Sequence, residues 1–304
     1  MNYKMELVFL GTSCMVPTKE RNVQSIFLSY KAEGILIDCG EGTQRQMNIA
    51  GINRNRVTKI LISHWHGDHI SGLTGLLQTL SSSESEKKIE IYGPRETKER
   101  LMHLLKAFSF DERMIELKIT ELNPKGVEKF FENDDFYLEC TKLEHKPECI
   151  GYAFIEKDKT RIDLAKAKKF GLKEGPLVGE ILEKGKVKVG TKSVSLKDVS
   201  YVETGKKISF ILDTLLCNNC YKIAENADLL VSEASYMSNL EEKATDRMHL
   251  TAQQAALIAS NSNAKRLILT HFSQRYKGTG EVEEEARTYF PNTSAAYDFM
   301  KIQL

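Results

Sequence analysis

The sequence predicts an α/β protein, and two observations lead there. Short apolar runs alternate with glycine-bearing loops and amphipathic stretches along most of the chain, a strand–loop–helix rhythm. Four chemically conspicuous residues, His64, His145, Asp213 and His271, stand at the carboxyl tips of such runs. Loops at strand tips are where α/β folds place chemistry, because the scaffold is rigid and the tip is open. With 304 residues the chain can bury a sizeable core, and 41% hydrophobic with 28% charged residues is the composition of a soluble globular protein. No apolar run has the length of a membrane span and the first residues lack a secretory core, so a cytoplasmic protein that engages no membrane is expected. Nothing in the chain calls for an organic cofactor.

The elements follow in order. Met5 to Leu10 reads as a strand running into the loop Gly11-Thr-Ser-Cys-Met-Val-Pro17. Val23 to Tyr30 and Gly34 to Asp38 are two more strands. The loop Asp38-Cys-Gly-Glu-Gly42 opens a helix from about Thr43 to Ala50, stopped by Gly51. Lys59 to Ser63 is a buried strand, and Ile70 to Leu80 is a helix packed by one face. Ser81 to Glu86 is a polar linker. Ile89 to Tyr92 and a helix from Arg95 to Phe108 form a βα unit, followed by strands at Ile115 to Thr120, Phe136 to Leu143 and Ile150 to Ile155. Residues 157–192 hold 11 Lys or Arg against 5 Asp or Glu, broken by several glycines, which marks an excursion from the core. Against a net charge of only +1 for the whole chain, this local excess is the informative one. Lys207 to Leu212, Leu229 to Val231 and Arg266 to Thr270 are strands, and Thr251 caps a helix to Ser260. The tail from Thr279 suggests one helix and little else.

The chemistry gathers at His64-Trp-His66-Gly-Asp68-His69. Residues two apart on extended chain point the same way, so His64 and His66 can share a metal ion. Gly67 lets the backbone turn, so Asp68 and His69 can serve a neighbouring ion. Two metals want about seven protein ligands when water or substrate fills the remaining positions. His145 would complete the first ion and His271 the second, with Asp213 bridging. Taken singly, His145 and His271 could be structural histidines and Asp213 a cap. Their shared placement at strand tips favours ligands. His249 is not needed for coordination and is free to donate a proton, with Glu233 at another strand end to orient it; capping and loop packing is the alternative for that pair. His103 sits among leucines of a helix and reads as structural. The six cysteines are expected to be reduced, and Cys217-Asn-Asn-Cys220 reads as an incidental or packed pair, since no second such pair completes a zinc site.

These residues carry a resemblance. His64-x-His66-x-Asp68-His69 with His145, Asp213 and His271 resembles the metallo-β-lactamase superfamily. Gly11-Thr-Ser with Pro17 and Arg21-Asn22, then Asp38-Cys-Gly-Glu-Gly-Thr-Gln-Arg-Gln46 and Thr270-His-Phe-Ser-Gln-Arg-Tyr276, narrow it to the ribonuclease Z family of tRNA 3′-processing endoribonucleases, in the length and order of its short form. The resemblance spans about residues 5 to 277. It implies an αββα four-layer sandwich spanning 1–304 as one catalytic domain, two zinc ions per subunit, a homodimer, and precursor tRNA as substrate. It also implies that residues 157–192 are an inserted, flexible tRNA-binding arm, with Gly175-Pro176 similar to a motif of that arm. The expected roles follow. Asp68 is the general base on the attacking hydroxide, Ser273 and Arg275 are donors to the developing charge, and His249, oriented by Glu233, protonates the leaving oxygen. Met15 stands where the family has glycine, and Leu212 replaces the glycine before the bridging aspartate. Neither is a ligand.

Two other readings use the same residues. A hydrolase of small phosphodiesters needs the same metals but no remote basic grip. A catalytically silent RNA-binding module would keep the metals for structure, but structural zinc sites are usually closed by four protein ligands on one ion.

Overall fold

The computed structural model describes residues 5–82, 88–108, 110–111, 115–172 and 175–304. Most of the linker expected at Ser81 to Glu86, and Lys173 and Glu174 of the basic segment, lie outside the described residues. The description divides into a large unit and a small one.

In the large unit the strands form two seven-stranded sheets among the described residues. The first has the order Lys301–Gln303, Glu6–Gly11, Ser25–Tyr30, Glu33–Ile37, Lys59–Leu61, Lys88–Gly93 and Glu116–Glu121. Its last four strands are parallel. The second has the order Thr293–Ala295, Leu267–Thr270, Leu229–Glu233, Lys207–Ile211, Cys149–Glu156, Phe136–Leu143 and Glu128–Glu132. Its first four are parallel, and the runs Leu229-Leu-Val231 and Leu267-Ile-Leu269 are apolar throughout because parallel strands are buried on both faces.

Helices close the outer faces. Leu73, Leu76, Leu77 and Leu80 of helix Leu73–Ser81, with Leu101 and Leu105 of helix Thr97–Ala107, pack on Val8, Phe27, Ile60 and Ile91 of the first sheet. Burying one such leucine is worth roughly 2 kcal/mol. Helices Asn218–Ala224, Ala252–Asn261 and Gly280–Tyr289 cover the second sheet. The two sheets meet face to face: the rings of Tyr30 and Phe154 lie 5.3 Å apart, and the Tyr152 hydroxyl donates to the Ile62 carbonyl at 2.8 Å.

The expected helix from Ile70 to Leu80 is two pieces, Gly67–Ile70 and Leu73–Ser81. The break has a packing cause. A Cβ on Gly72 would come within 2.2 Å of the Gly40 carbonyl, and one on Gly40 within 2.2 Å of the Asp68 carbonyl. Loop 38–42 therefore lies pressed against the turn that carries Asp68 and His69, as the Cys39 amide donating to the His69 carbonyl at 2.7 Å also records. The tail is more structured than its sequence suggested. Lys301–Gln303 pairs with Glu6–Val8, and Thr293–Ala295 adds an edge to the second sheet. Three-residue strands carry too little periodicity to be read from sequence.

The small unit comprises Asn133–Tyr137 and Ile155–Lys206. Strands Lys159–Ile162 and Ser200–Glu203 pair, as do Lys186–Val189 and Lys192–Ser195. Ala167, Leu172, Ile181, Val187, Val194 and Val199 form its core. Lys166, Lys168, Lys169, Lys186 and Lys188 are exposed. Gly175 has φ 143° and ψ −161°, a conformation open essentially to glycine alone, and Pro176 then starts helix Pro176–Lys184 with the φ it fixes.

Candidate metal centre

Seven side chains from four strand tips converge in the large unit, with Glu233 at a fifth. His64 and His66 follow strand Lys59–Leu61, and Asp68 and His69 occupy the short helix after them. His145 lies two residues beyond Phe136–Leu143, Asp213 two beyond Lys207–Ile211, and His271 one beyond Leu267–Thr270. Glu233 ends its own strand.

The candidate ligand atoms fall into two sets. In the first, His64 Nε2 is 2.9 Å from His66 Nδ1, which is 3.4 Å from His145 Nε2. Asp213 Oδ2 lies 3.6 Å from His64 Nε2 and 3.9 Å from His145 Nε2. In the second, His69 Nε2 and His271 Nε2 are 3.2 Å apart, each 3.5 Å from Asp68 Oδ2. Asp213 Oδ1 completes this set at 3.5 and 3.3 Å from the same two nitrogens. His64, His66, His145 and Asp213, and separately Asp68, His69 and His271, lie close enough to hold a metal ion, as do Asp213, His249 and His271. Asp213 divides its oxygens between the two sets, as a bridging carboxylate would. The fit has an independent mark: Asp213 Oδ1 is buried and has no hydrogen-bond donor. A carboxylate oxygen left so would cost several kcal/mol unless a cation or polarised donor met it. Of the seven, only His66 is exposed.

Four of the five rings are oriented from behind. His69 Nδ1 donates to Asp38 Oδ2 at 2.6 Å, and Asp38 also accepts from the Ser63 amide and hydroxyl, both at 2.7 Å. His64 Nδ1 reaches the Ser63 hydroxyl at 3.0 Å. His145 Nδ1 donates to the Met248 carbonyl at 2.9 Å. His271 Nδ1 donates to the Ser235 hydroxyl at 3.0 Å, which donates in turn to Glu233 Oε2 at 2.6 Å. Such partners fix the tautomer that leaves the ligating nitrogen unprotonated. Sequence reasoning named Asp38 as a strand end, the start of a loop and part of the family motif, without a ring-orienting role, and did not single out Ser63, Ser235 or Met248. Asp38 had a readable signal, since it too stands at a strand tip.

The backbone is strained at the site. Met15, Asp38, Met248 and His271 all have left-handed φ, between 58 and 63°. For residues with a side chain this costs about 1–3 kcal/mol each. At Met15 the conformation turns its amide onto Asp68 Oδ2 at 2.7 Å. The glycine that the family resemblance puts at this position would adopt it freely.

The charges are strongly coupled. Burial opposes ionisation of Asp213, but His271, His69 and His64 hold it well below the usual carboxylate range. Asp68 is likewise held low against burial, by hydrogen bonds from His271 and His69. Burial depresses His64 well below the ordinary imidazole value. His249 behaves in the opposite way. Burial lowers it, but Glu233 and Asp213 outweigh burial and bring it to about 9. Its Nδ1 lies 3.1 and 3.2 Å from the two Glu233 oxygens, so it donates to that carboxylate.

The centre opens into a cavity of about 740 Å³ lined by Met15, Tyr236, Lys146, Lys243, Arg247 and Arg275 beside the ligands. Ser273 also lines it, and Arg275 Nε donates to the Ser273 hydroxyl at 3.0 Å. Gly175 and Pro176 belong to the small unit. His103 is exposed on its helix, not packed among its leucines, because its position faces away from Leu101 and Leu105. The motifs flanking the centre bind loops to one another. Arg21 Nη2 donates to the carbonyls of Ser273 and Tyr276 at 3.3 and 2.7 Å, and Gln46 Nε2 to the Leu10 carbonyl and Asp298 at 2.7 and 2.9 Å.

Comparison with known proteins places the chain. The family model described as Anti-Pycsar protein Apyc1 matches residues 5–163. A ribonuclease Z of Methanothermobacter thermautotrophicus is 39% identical over 99% of this chain and 97% of its own. The crystal structure of human tRNase Z, short form, superposes with a TM-score of 0.72 at 28% identity, over 98% of both chains. The metallo-β-lactamase fold protein YhfI from Bacillus subtilis shares the fold at a TM-score of 0.71 and 17% identity, over 99% of this chain and 100% of that one. With two helix-covered sheets, a divided His/Asp cluster at their strand tips and relatives matched almost end to end, the chain has the metallo-β-lactamase fold and belongs to the ribonuclease Z family.

Proposed function

We propose that this protein is a zinc-dependent endoribonuclease that removes the 3′ trailer from precursor tRNA. It cleaves the phosphodiester after the discriminator nucleotide, leaving a tRNA 3′-OH and a trailer with a 5′-phosphate. The observation that carries this reading is the cluster divided by Asp213, in a chain that matches ribonucleases Z over nearly its whole length. His64, His66, His145 and Asp213 would hold one ion, and Asp68, His69, His271 and Asp213 the other. Bound there, two metal ions supply Lewis acidity and a nucleophile available at neutral pH. Asp68 accepts the proton of the attacking water, its Oδ2 fixed by the Met15 amide. His249, held charged by Glu233, gives its proton to the leaving 3′ oxygen. Ser273 and Arg275 meet the developing negative charge from the cavity wall.

The small basic unit supplies remote affinity for the tRNA backbone, with Gly175-Pro176 at the foot of one of its helices. A homodimer in the cytoplasm is the assembly the family resemblance supports. Among the described residues no helix is long and apolar enough to cross a membrane.

The test is to map the ends produced from a tRNA precursor carrying a 3′ trailer, beside hydrolysis of bis(p-nitrophenyl) phosphate. A single cut after the discriminator, abolished by EDTA, is expected. Turnover of the small ester with no cut in the precursor would overturn the assignment in favour of a small-phosphodiester hydrolase.

A further inference from the structure

One motif plays no part in this chemistry. Cys217 and Cys220 bracket the start of helix Asn218–Ala224, and their sulfurs stand 3.5 Å apart. Cys217 is half-buried and Cys220 fully buried. The pair lies on the loop that follows Asp213. Its Leu215 amide donates to the Glu144 carbonyl at 2.8 Å, and Asn219 Nδ2 to the Lys142 carbonyl at 2.8 Å, so the loop is bracketed to the strand end that carries His145. Among the described residues no third His, Cys, Asp or Glu joins the pair in a metal-binding group.

The two thiols are unequal. Hydrogen bonds from Cys220, and from the amides of Cys220 and Asn219, favour the thiolate of Cys217 and bring it to about 6. The same pairing and burial drive Cys220 well above the ordinary thiol value. An accessible thiolate beside a buried thiol is the arrangement in which the first attacks and the second resolves. The remaining cysteines differ. Burial pushes Cys39 and Cys140 to about 12 and Cys149 well above its usual range. Cys14 is half-buried but is not one of a pair.

We infer that Cys217 and Cys220 form a thiol–disulfide exchange site that takes low-molecular-weight disulfides and closes to an intramolecular disulfide. The Cys217 thiolate attacks one sulfur of the reagent disulfide, forming a mixed disulfide and releasing one reagent thiolate. Cys220, deprotonated, then attacks Cys217 Sγ and expels the second reagent thiol. Two protein thiols are oxidised and one reagent disulfide is reduced. Closure needs the sulfurs to approach to about 2.05 Å, a movement of about 1.5 Å within one turn of chain.

The experiment uses the metal-loaded protein, 2-hydroxyethyl disulfide as reagent, and alkylation followed by intact and peptide mass measurement. The wild type is expected to lose two hydrogens, mapped to a Cys217–Cys220 link that dithiothreitol reverses. Cys220→Ser is expected to stop at a reagent adduct on Cys217, and Cys217→Ser to give neither product. Unmodified Cys217 in the Cys220→Ser protein, or a wild type that keeps a reagent adduct without closing, would overturn the inference. The wild-type measurement does not depend on either variant folding, and metal content and melting temperature check that they do.

Discussion

The metal centre and the small unit are built to opposite rules. At the centre the carboxylates that face the rings from behind are densely hydrogen-bonded, and Asp213 Oδ1 is left for a cation. Asp38 takes three donors, Glu233 takes the Thr214 amide as well as Ser235 and His249, and six of the seven ligand residues are largely buried. In the small unit a core of six apolar side chains holds up a surface of exposed lysines. Several of its charges pair with acids of the same unit, such as Arg161 with Glu203 at 2.7 Å and Lys184 with Glu180 at 2.9 Å, but the basic excess stands in water. Groups that hold a metal must be fixed to fractions of an ångström, while a basic surface attracts a polyanion with charge only in roughly the right place. A low-dielectric, bracketed site magnifies each substitution; a solvated patch spreads the effect over many.

Substitutions ought to separate the two regions. On the proposed function, Asp68→Ala removes a metal-holding carboxylate and the base together. Cleavage should fall by about 10²–10⁴-fold or more while binding of precursor tRNA is retained, as single-turnover kinetics and a gel-shift titration would show. Turnover close to wild type would erase the distinction between centre and surface.

His249 gives a pH signature. Its folded pKa, about 9, lies above the ordinary 6.5, so its contribution to stability is complete below about 6.5 and is lost as pH rises through 9. In metal-free protein the shift corresponds to a contribution on the order of 3 kcal/mol. The stability gap between wild type and His249→Gln, measured by thermal unfolding, should therefore shrink from pH 6 to pH 9.5. A gap that stays constant would remove the charged pair with Glu233.

Asp38→Ala leaves all seven candidate ligands in place but frees His69 and strands the Ser63 amide. Metal affinity should drop about 10–100-fold, read by chelator competition. An unchanged affinity would mean that the ring is held by packing alone.

The smallest effect belongs to the lysines. Lys166→Ala, Lys168→Ala and Lys169→Ala combined should raise KM for precursor tRNA several-fold and flatten its salt dependence by about two to three units of log–log slope. Hydrolysis of bis(p-nitrophenyl) phosphate should not change. Equal losses on both substrates would tie the small unit to the chemistry and end the division of labour.

Much of the centre was legible because it sits in local pattern. His64, His66, Asp68 and His69 fall within six residues, and the other ligands each end an apolar run. The ring-orienting groups were not legible, because a serine hydroxyl or a Met248 carbonyl gives no sign in sequence of which ring it faces. The tail was silent for a similar reason. Asp298 accepts from Thr12, Asn22 and Gln46 across more than 250 residues of chain, and Glu285 accepts from Ser238 and Gln253. The acidic run around Glu285 suggested no role, yet one of its carboxylates fixes the segment that leads to His249.

The amino-acid sequence by itself determined the α/β class, the histidines and aspartates that could hold metal and the basic character of residues 157–192, since period, residue type and charge are local properties of a chain. Only the tertiary structure decided that Asp213 would give one oxygen to each histidine set, that Asp38 and Ser63 would lock the rings, and that the Met15 amide would turn onto Asp68. Those outcomes depend on which strand tips the two sheets bring together and on how closely Gly40 and Gly72 let two loops approach, and such distances exist only once the chain has folded.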